Sequence, residues 1–552
     1  MKAGMTLARG YRKGIFIGVM AALLMVQLGV LLFYGNKKAG FHEDEIYTYY
    51  STNKTAGLFV NDRQWMARED LRNDFVVLPG EQFRYGVVKQ MQSWDVHPPF
   101  YYYIFHTACS LFPGVFSKWL GIGVNLIAFV ISYILLAYGV YLAVTQRDFD
   151  SAEERKKTQQ KGKCLAFLTC LAWGFSAAVI SGIMFIRMYQ WLTVFILLCL
   201  NLHLRAVKRK DFRIRSFLLP VMVTVFLGFL TQYYYIIFHF FLGAGFCLWL
   251  LQNKKFRELA GYIVACAAGF CGAVFYYPSC LSHIFRGYRG TEAVSEFSDA
   301  SNTWERLRFF YGLFDDFVMN GTLSWWLLAI CLLALGIGYV RKREGKKDGF
   351  FNVSIGLQIF ACAGYFFTVS KTALLLGETS NRYQLPVYGI LLFLLWYALW
   401  ELISQTVEAL KRTADERILV GVFALIILLT AGSALKNGRV FFLYEEEKDI
   451  MAFVRAHNQE TVVVFYNDAS PDNIWRLSDE LMEYDKVYLA SQGNREPITD
   501  GTITRSERLL VYVADYEDKE RCLEGLLQVN EKLGGYEAVA DKGMWTLYEV
   551  HA

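Results

Sequence analysis

The chain is poor in charge. Asp, Glu, Lys and Arg make up only 19% of its 552 residues, fewer than a soluble protein of this size carries. It also has no cysteine framework. None of the eleven cysteines forms a CxxC pair or joins histidine at zinc spacing. Ten lie in or beside apolar segments and only Cys522 sits in the polar C-terminal region, so they read as small buried hydrophobes. That C-terminal region has no glycine-rich phosphate loop, and the chain shows no internal repeat or low-complexity segment. The net charge of +5 is not a nucleic-acid signal, because the basic residues sit in short loops between apolar runs.

What is present is apolar: 55% of residues are hydrophobic and 16% aromatic. They fall in blocks of roughly 17–25, the length that crosses about 30 Å of hydrocarbon as a helix. About twelve spans are expected, at 14–34, 97–114, 118–144, 164–182, 189–205, 217–231, 232–251, 259–279, 322–340, 351–369, 384–402 and 418–436. Arg9, Arg12 and Lys13 before the first run mimic a signal peptide. The run Gly14–Tyr34 is long and no small-residue cleavage site follows, so it reads as an uncleaved span. Basic loops at 145–163 (with Arg147), 206–215, 253–257, 341–347 (with Lys346 and Lys347) and 404–417 (with Lys411 and Arg412) read as cytoplasmic. This puts 35–96 outside, so 97–144 has to cross an odd number of times, although two apolar segments lie there. The stretch 97–114, bracketed by Pro98-Pro99 and Pro113, reads as a partial passage.

Two polar regions remain. The first, 35–96, has helix-like pieces around 53–72 and 81–94. The second, 437–552, has strand-like runs at 461–466, 486–490, 509–513 and 544–548, with helical patterns at 445–457, 473–484 and 517–533. Such alternation predicts a small α/β domain with a partly parallel sheet. The division expected is a helical membrane domain, 1–436, followed by an extracytoplasmic α/β domain, 437–552.

The chemistry-bearing residues cluster at one expected membrane face. Glu43-Asp44-Glu45 follows the first span, and a carboxylate there can take a proton from an acceptor hydroxyl or amine. It also favours the start of a helix, whatever else it does. His97-Pro98-Pro99-Phe100 opens an apolar run on the same side. Arg187, in Phe185-Ile186-Arg187-Met188-Tyr189, sits at an outer junction where positive-inside makes arginine uncommon, and its guanidinium fork suits phosphate oxygens. Arg382 and Tyr383 repeat the arrangement before a later span. Gln232 and Tyr233 start another span at this face, and Arg286 and Arg289 lie in the long loop 280–321; all four are pocket candidates. Together these residues imply a cavity for a phosphorylated amphipathic substrate.

The order of these motifs resembles glycosyltransferase family 39, the group of protein O-mannosyltransferases and the lipid A aminoarabinose transferase, over roughly residues 14–402. The resemblance implies a GT-C fold and a polyprenyl-phosphate-linked sugar donor. It implies Asp44 as the base that activates the acceptor, Glu45 in support, and His97, Arg187, Tyr189, Arg382 and Tyr383 around the donor phosphate. One displacement would invert the anomeric carbon. The leaving lipid phosphate is already a stable anion, so cations matter more than a general acid. Glu43 leaves open which carboxylate is the base, and Gln232 stands where many relatives have histidine.

The expected protein is an all-α polytopic membrane protein of the cytoplasmic membrane with a small C-terminal α/β domain. Its expected activity is sugar transfer to an extracytoplasmic glycan, lipid or protein. No metal is expected to be obligatory, although two adjacent carboxylates suit Mg²⁺ or Mn²⁺. The alternatives are a transporter or flippase of a lipid-linked saccharide and a non-catalytic assembly protein on the same fold.

Overall fold

The computed structural model describes residues 2–53, 60–146, 151–344, 352–410, 415–516 and 518–552. Arg147, Lys346, Lys347, Lys411 and Arg412 of the basic loops lie outside them. The chain forms two compact units, one of Met1–Gly35, Gln92–Tyr101 and Gly121–Phe441, the other of Asn36–Met91, Tyr102–Leu120 and Phe442–Ala552. Residues 36–91 of the first long loop group with the C-terminal region.

The first unit is helical. Among the described residues, ten helices are long and apolar enough to cross a membrane: Gly14–Lys37, Lys118–Val144, Tyr189–Arg209, Ile214–Thr231, Tyr235–Gln252, Phe256–Tyr276, Leu323–Val340, Val353–Thr372, Gly377–Ala409 and Glu416–Lys436. Ala152–Phe175 and Ala177–Met184 pass the same test as a pair, bent by 56°. Ser176 makes the bend. Its backbone is extended, and its hydroxyl accepts from Val179 N and donates to Trp173 O at 2.9 Å, capping the second helix.

The expected span at 97–114 is not one. Its helix, Phe100–Leu111, has only 12 residues, about 18 Å of rise against about 30 Å of hydrocarbon. Pro98, Pro99 and Pro113 bound it. Twelve expected spans thus become ten, or eleven with the bent pair. Within 97–144 only Lys118–Val144 is long enough to cross, which removes the parity conflict.

Small residues and polar contacts hold these helices together. A Cβ on Gly269 would lie 2.5 Å from Met222 O, so only glycine lets helices Leu219–Thr231 and Phe256–Tyr276 approach this closely. His203 Nε2 meets Tyr262 OH at 2.8 Å, and the His239 ring lies between Cys199 and Cys266, each Sγ 3.3 Å from a ring nitrogen. Buried polar atoms in lipid need partners, and these helices supply them to one another.

The second unit holds a six-stranded sheet. Its strands are β1 (Gln64–Ala67), β2 (Thr461–Tyr466), β3 (Lys486–Ser491), β4 (Arg508–Ala514), β5 (Gly535–Lys542) and β6 (Trp545–His551), in the order β1-β3-β2-β4-β6-β5. β2 runs parallel to β3 and β4, and the other pairs are antiparallel. The partly parallel sheet is as expected, with two strands added. β1 falls inside the piece read as helical at 53–72. The structure has helix Glu43–Asn53, strand β1 and helix Arg68–Asn73 there, and residues 54–59 lie outside the description. Pairing with β3, from Gln64↔Leu489 to Ala67↔Lys486, decides the conformation of this segment. The helices expected at 81–94, 445–457 and 517–533 are Tyr85–Trp94, Glu447–Ala456 and Lys519–Val529, residue 517 being outside the description. That at 473–484 is a 3-10 turn, Pro471–Leu477, followed by the single turn Ser478–Leu481. One core face packs Val463, Leu509, Val511 and Val550 against Leu523 and Leu526.

Candidate active site

In the sheet-bearing unit, helix Glu43–Asn53 begins at the acidic triplet. Three negative charges in a first turn favour its N-terminus. His42 caps it: its Nδ1 accepts from Asp44 N at 3.0 Å, while Glu45 reaches back to accept from His42 N at 2.7 Å. This is a capping box with histidine in the cap position.

The three carboxylates have different surroundings. Glu43 pairs with Arg476. Glu45 pairs with Lys38 at 2.8 Å, both side chains fully buried, and Lys38 also donates to Phe442 O at 2.7 Å. Asp44 lies beside His42, and 29% of its side chain is exposed. The geometry thus separates a solvent-facing Asp44 from a Glu45 committed to the interior. Tyr47 and Tyr50 both pack on Trp475, with ring centroids 5.1 and 4.1 Å away, which fixes the helix face.

In the helical unit, Arg187 and Arg382 are buried. Arg187 closes the bend ahead of helix Tyr189–Arg209, and Arg382 lies in the first turn of helix Asn381–Ala409. The Arg382 guanidinium stacks over Phe185 and Tyr383, each 5.1 Å from ring centroid, and over Tyr189 at 6.0 Å. The Tyr383 ring meets Tyr189 at 5.6 Å and Tyr234 at 5.9 Å. Tyr234 is the cap of helix Tyr235–Gln252. Three helix N-termini therefore converge on one aromatic cluster with two arginines. Each brings a positive dipole end, an arrangement that suits an anion.

His97 joins this group. Its Nε2 is 3.0 Å from Arg187 Nη2 and its Nδ1 is 2.8 Å from Asp95 Oδ2. Burial pushes the Asp95 carboxyl up, but His97 and Arg187 outweigh it and hold it well below the usual carboxylate range. Tyr277 OH donates to His97 O at 3.3 Å. Tyr233 OH lies 2.9 Å from His283 Nδ1, and His283 Nε2 is 3.3 Å from Ser93 O. A carbonyl only accepts, so His283 carries its proton on Nε2 and accepts from Tyr233. Burial lowers the His283 pKa, in keeping with a neutral ring.

The remaining pocket candidates are placed differently. Gln232 is buried and its Oε1 accepts from Tyr234 N at 3.4 Å, closing the turn between two spans. Arg289 is exposed and pairs with Glu292 at 3.5 Å, and Tyr383 is among the groups that act on its charge. Arg286 is exposed, and its backbone N donates to Ser282 O at 2.8 Å to end a short helix. Sequence reasoning missed Asp95 and Tyr277, while His283 belongs to the charged and aromatic loop 280–321 that it singled out. Asp95 was within reach, as an Asp-x-His pair ahead of two prolines. Tyr277 carries no local signal. Among the described residues, no three His, Cys, Asp or Glu side chains group in a way that would hold a metal.

No protein-family model and no curated protein sequence matches the chain. Solved structures do. ArnT from Cupriavidus metallidurans bound to undecaprenyl phosphate aligns with a TM-score of 0.52 at 12% identity, covering 96% of this chain and 98% of that one. The same protein in the apo state aligns at 0.48 with 14% identity and 98% of each chain. The archaeal oligosaccharyltransferase AglB from Archaeoglobus fulgidus, in complex with an inhibitory peptide and a dolichol-phosphate, aligns at 0.39 with 12% identity over 96% of this chain and 74% of that one. The chain is a multi-pass membrane protein with the GT-C fold.

Proposed function

We propose that the protein is a glycosyltransferase that moves a sugar from a polyprenyl-phosphate donor to an extracytoplasmic glycan, lipid or protein acceptor. The observation that carries this reading is the convergence of three helix N-termini with Arg187 and Arg382. Buried arginine in a membrane protein is costly and marks a site for a charged partner, and its planar fork matches phosphate oxygens. The same fold holds undecaprenyl phosphate in ArnT.

In this reading Asp44 accepts the proton of the acceptor hydroxyl as that oxygen bonds to the anomeric carbon. The bond from carbon to the phosphate oxygen breaks on the opposite face, and the sugar inverts. The electron pair leaves with the polyprenyl phosphate, whose charge the arginines and helix ends stabilise. Among the three carboxylates Asp44 suits the base by its position in the motif and its part-exposed side chain, whereas Glu45 is fully buried. No metal is required for a leaving group with a single phosphate.

Counting the bent pair as one span gives eleven candidate crossings among the described residues, and the positive-inside rule supports reading the face opposite the basic loops as extracytoplasmic, with acceptor chemistry outside the cytoplasmic membrane.

The test is release of label from radiolabelled polyprenyl-phosphate sugars by purified protein, comparing wild type with Asp44→Asn. Release or transfer by wild type alone supports the reading. Equal behaviour of the two proteins with every donor, in the presence of candidate acceptor extracts, rejects it.

A further inference from the structure

We propose that Asp95 is a positioning residue: by accepting the Nδ1 proton of His97 it fixes the imidazole tautomer whose Nε2 lone pair aims the Arg187 guanidinium. The inference deepens the phosphate role given to Arg187 above and rests on it.

The argument needs only donor and acceptor counting. A guanidinium has five N–H donors and no acceptor. The 3.0 Å contact between Arg187 Nη2 and His97 Nε2 is therefore a hydrogen bond only if Nε2 is bare. The proton of a neutral ring is then on Nδ1, which faces Asp95 Oδ2 at 2.8 Å, and the carboxylate accepts it. Every donor in the series points the same way, from Arg187 through His97 to Asp95. The imidazole is thus no cation for the phosphate. It is a neutral ring that holds one edge of the fork. Such an outer partner fixing a histidine tautomer is a common device where the ring serves another group.

The frame around the ring is rigid. Asp95 N donates to Gln92 O at 3.2 Å at the end of helix Tyr85–Trp94, the His97 carbonyl accepts from Tyr277, and the buried Pro98 and Pro99 restrict the backbone that follows. Removing the carboxylate leaves the ring in place but frees its tautomer. A proton on Nε2 would then face the Arg187 N–H directly, donor against donor.

Two measurements test this. One is ¹⁵N NMR of histidine-labelled protein in bilayers, with the His97 signals identified by their loss in His97→Gln. The other is equilibrium binding of undecaprenyl phosphate. Wild type is expected to show a neutral ring protonated on Nδ1. Asp95→Ala is expected to populate the Nε2-protonated form and to weaken undecaprenyl phosphate binding about tenfold. Asp95→Asn keeps an acceptor oxygen and is expected to fall between the two. An Nε2-protonated or doubly protonated His97 in wild type overturns the proposal, as does an unchanged tautomer and affinity in Asp95→Ala. The NMR signature decides the role of Asp95, whereas a wild type that does not bind the lipid rejects the phosphate reading on which the role rests.

Discussion

Lys38 and Glu45 form a fully buried ion pair, Nζ to Oε2 2.8 Å, one residue along from a carboxylate that still meets water. Adjacent positions in one acidic triplet thus serve different ends. Removing one partner of a buried pair leaves an uncompensated charge, so Lys38→Met is expected to cost about 3–5 kcal/mol of stability. Asp44→Asn is expected to cost less than about 1 kcal/mol, the loss of one charge at a helix start. It is expected to cut transfer by about 10²–10⁴ if Asp44 is the base. Thermal unfolding in detergent beside a transfer assay separates the two. Equal loss of stability in both variants contradicts the division.

The sheet-bearing unit carries a pH dependence. Lys542 faces three carboxylates, Glu447 at 3.1 Å, Asp479 at 3.0 Å and Glu480 at 2.8 Å. Burial pushes Glu447 up to about 7, with Asp479 and Glu480 adding to the effect against Lys542. A glutamate whose pKa is raised on folding holds its proton longer in the folded state. Its contribution is complete below the ordinary glutamate pKa and is lost as pH rises through about 7. Hydrogen exchange of the β2 and β6 amides, corrected for intrinsic rates, should show weaker protection at pH 7.5 than at pH 5.5. Glu447→Gln should remove most of that difference, on the order of 2 kcal/mol.

Gly269 sets the spacing of two spans. A side chain there would press on the Met222 carbonyl, which cannot move without its helix. Gly269→Leu should destabilise the protein by about 1–3 kcal/mol, as overpacking does. Gly272→Leu, where a Cβ meets nothing closer than a Phe226 ring atom at 3.6 Å, should cost far less. Melting temperatures of the two variants make the comparison.

Transfer is expected to persist in excess chelator, because arginines and helix ends supply the positive charge. Activity that vanishes and returns with Mg²⁺ or Mn²⁺ would sink this expectation.

Much of the fold was legible because its signals are local. Val462-Val463-Val464 and Leu509-Leu510-Val511 are β-rich runs, and both are strands. The spans announce themselves by length and apolarity. β1 does not: Gln64-Trp65-Met66-Ala67 has no β-branched residue, and only pairing with β3 makes it a strand. β5 is an edge with exposed Glu537, Ala538 and Asp541, and so lacks a continuous apolar run. At the site, the residue types and their order pointed to a phosphate-handling face. The roles within the triplet were not legible, because they depend on Lys38 and Arg476, whose contacts arise only on folding. Asp95 stayed hidden for a similar reason, since its importance lies in the proton of a neighbour's ring.

The ladder between β1 and β3 has a consequence for the whole chain. Backbone hydrogen bonds cannot join two strands through hydrocarbon, so Gln64 and Leu489 must lie in the same aqueous compartment. The polypeptide between them has to cross the bilayer an even number of times. Nine of the ten unbent candidate helices lie in that interval, and nine is odd. With all nine crossing, the segment broken at Ser176 has to make a tenth passage, since a re-entrant course would set β1 and β3 on opposite sides. Four residues of sheet thereby act as a parity check on membrane insertion, and a chain threaded with one crossing too few would reveal itself as an open strand edge on the wrong side.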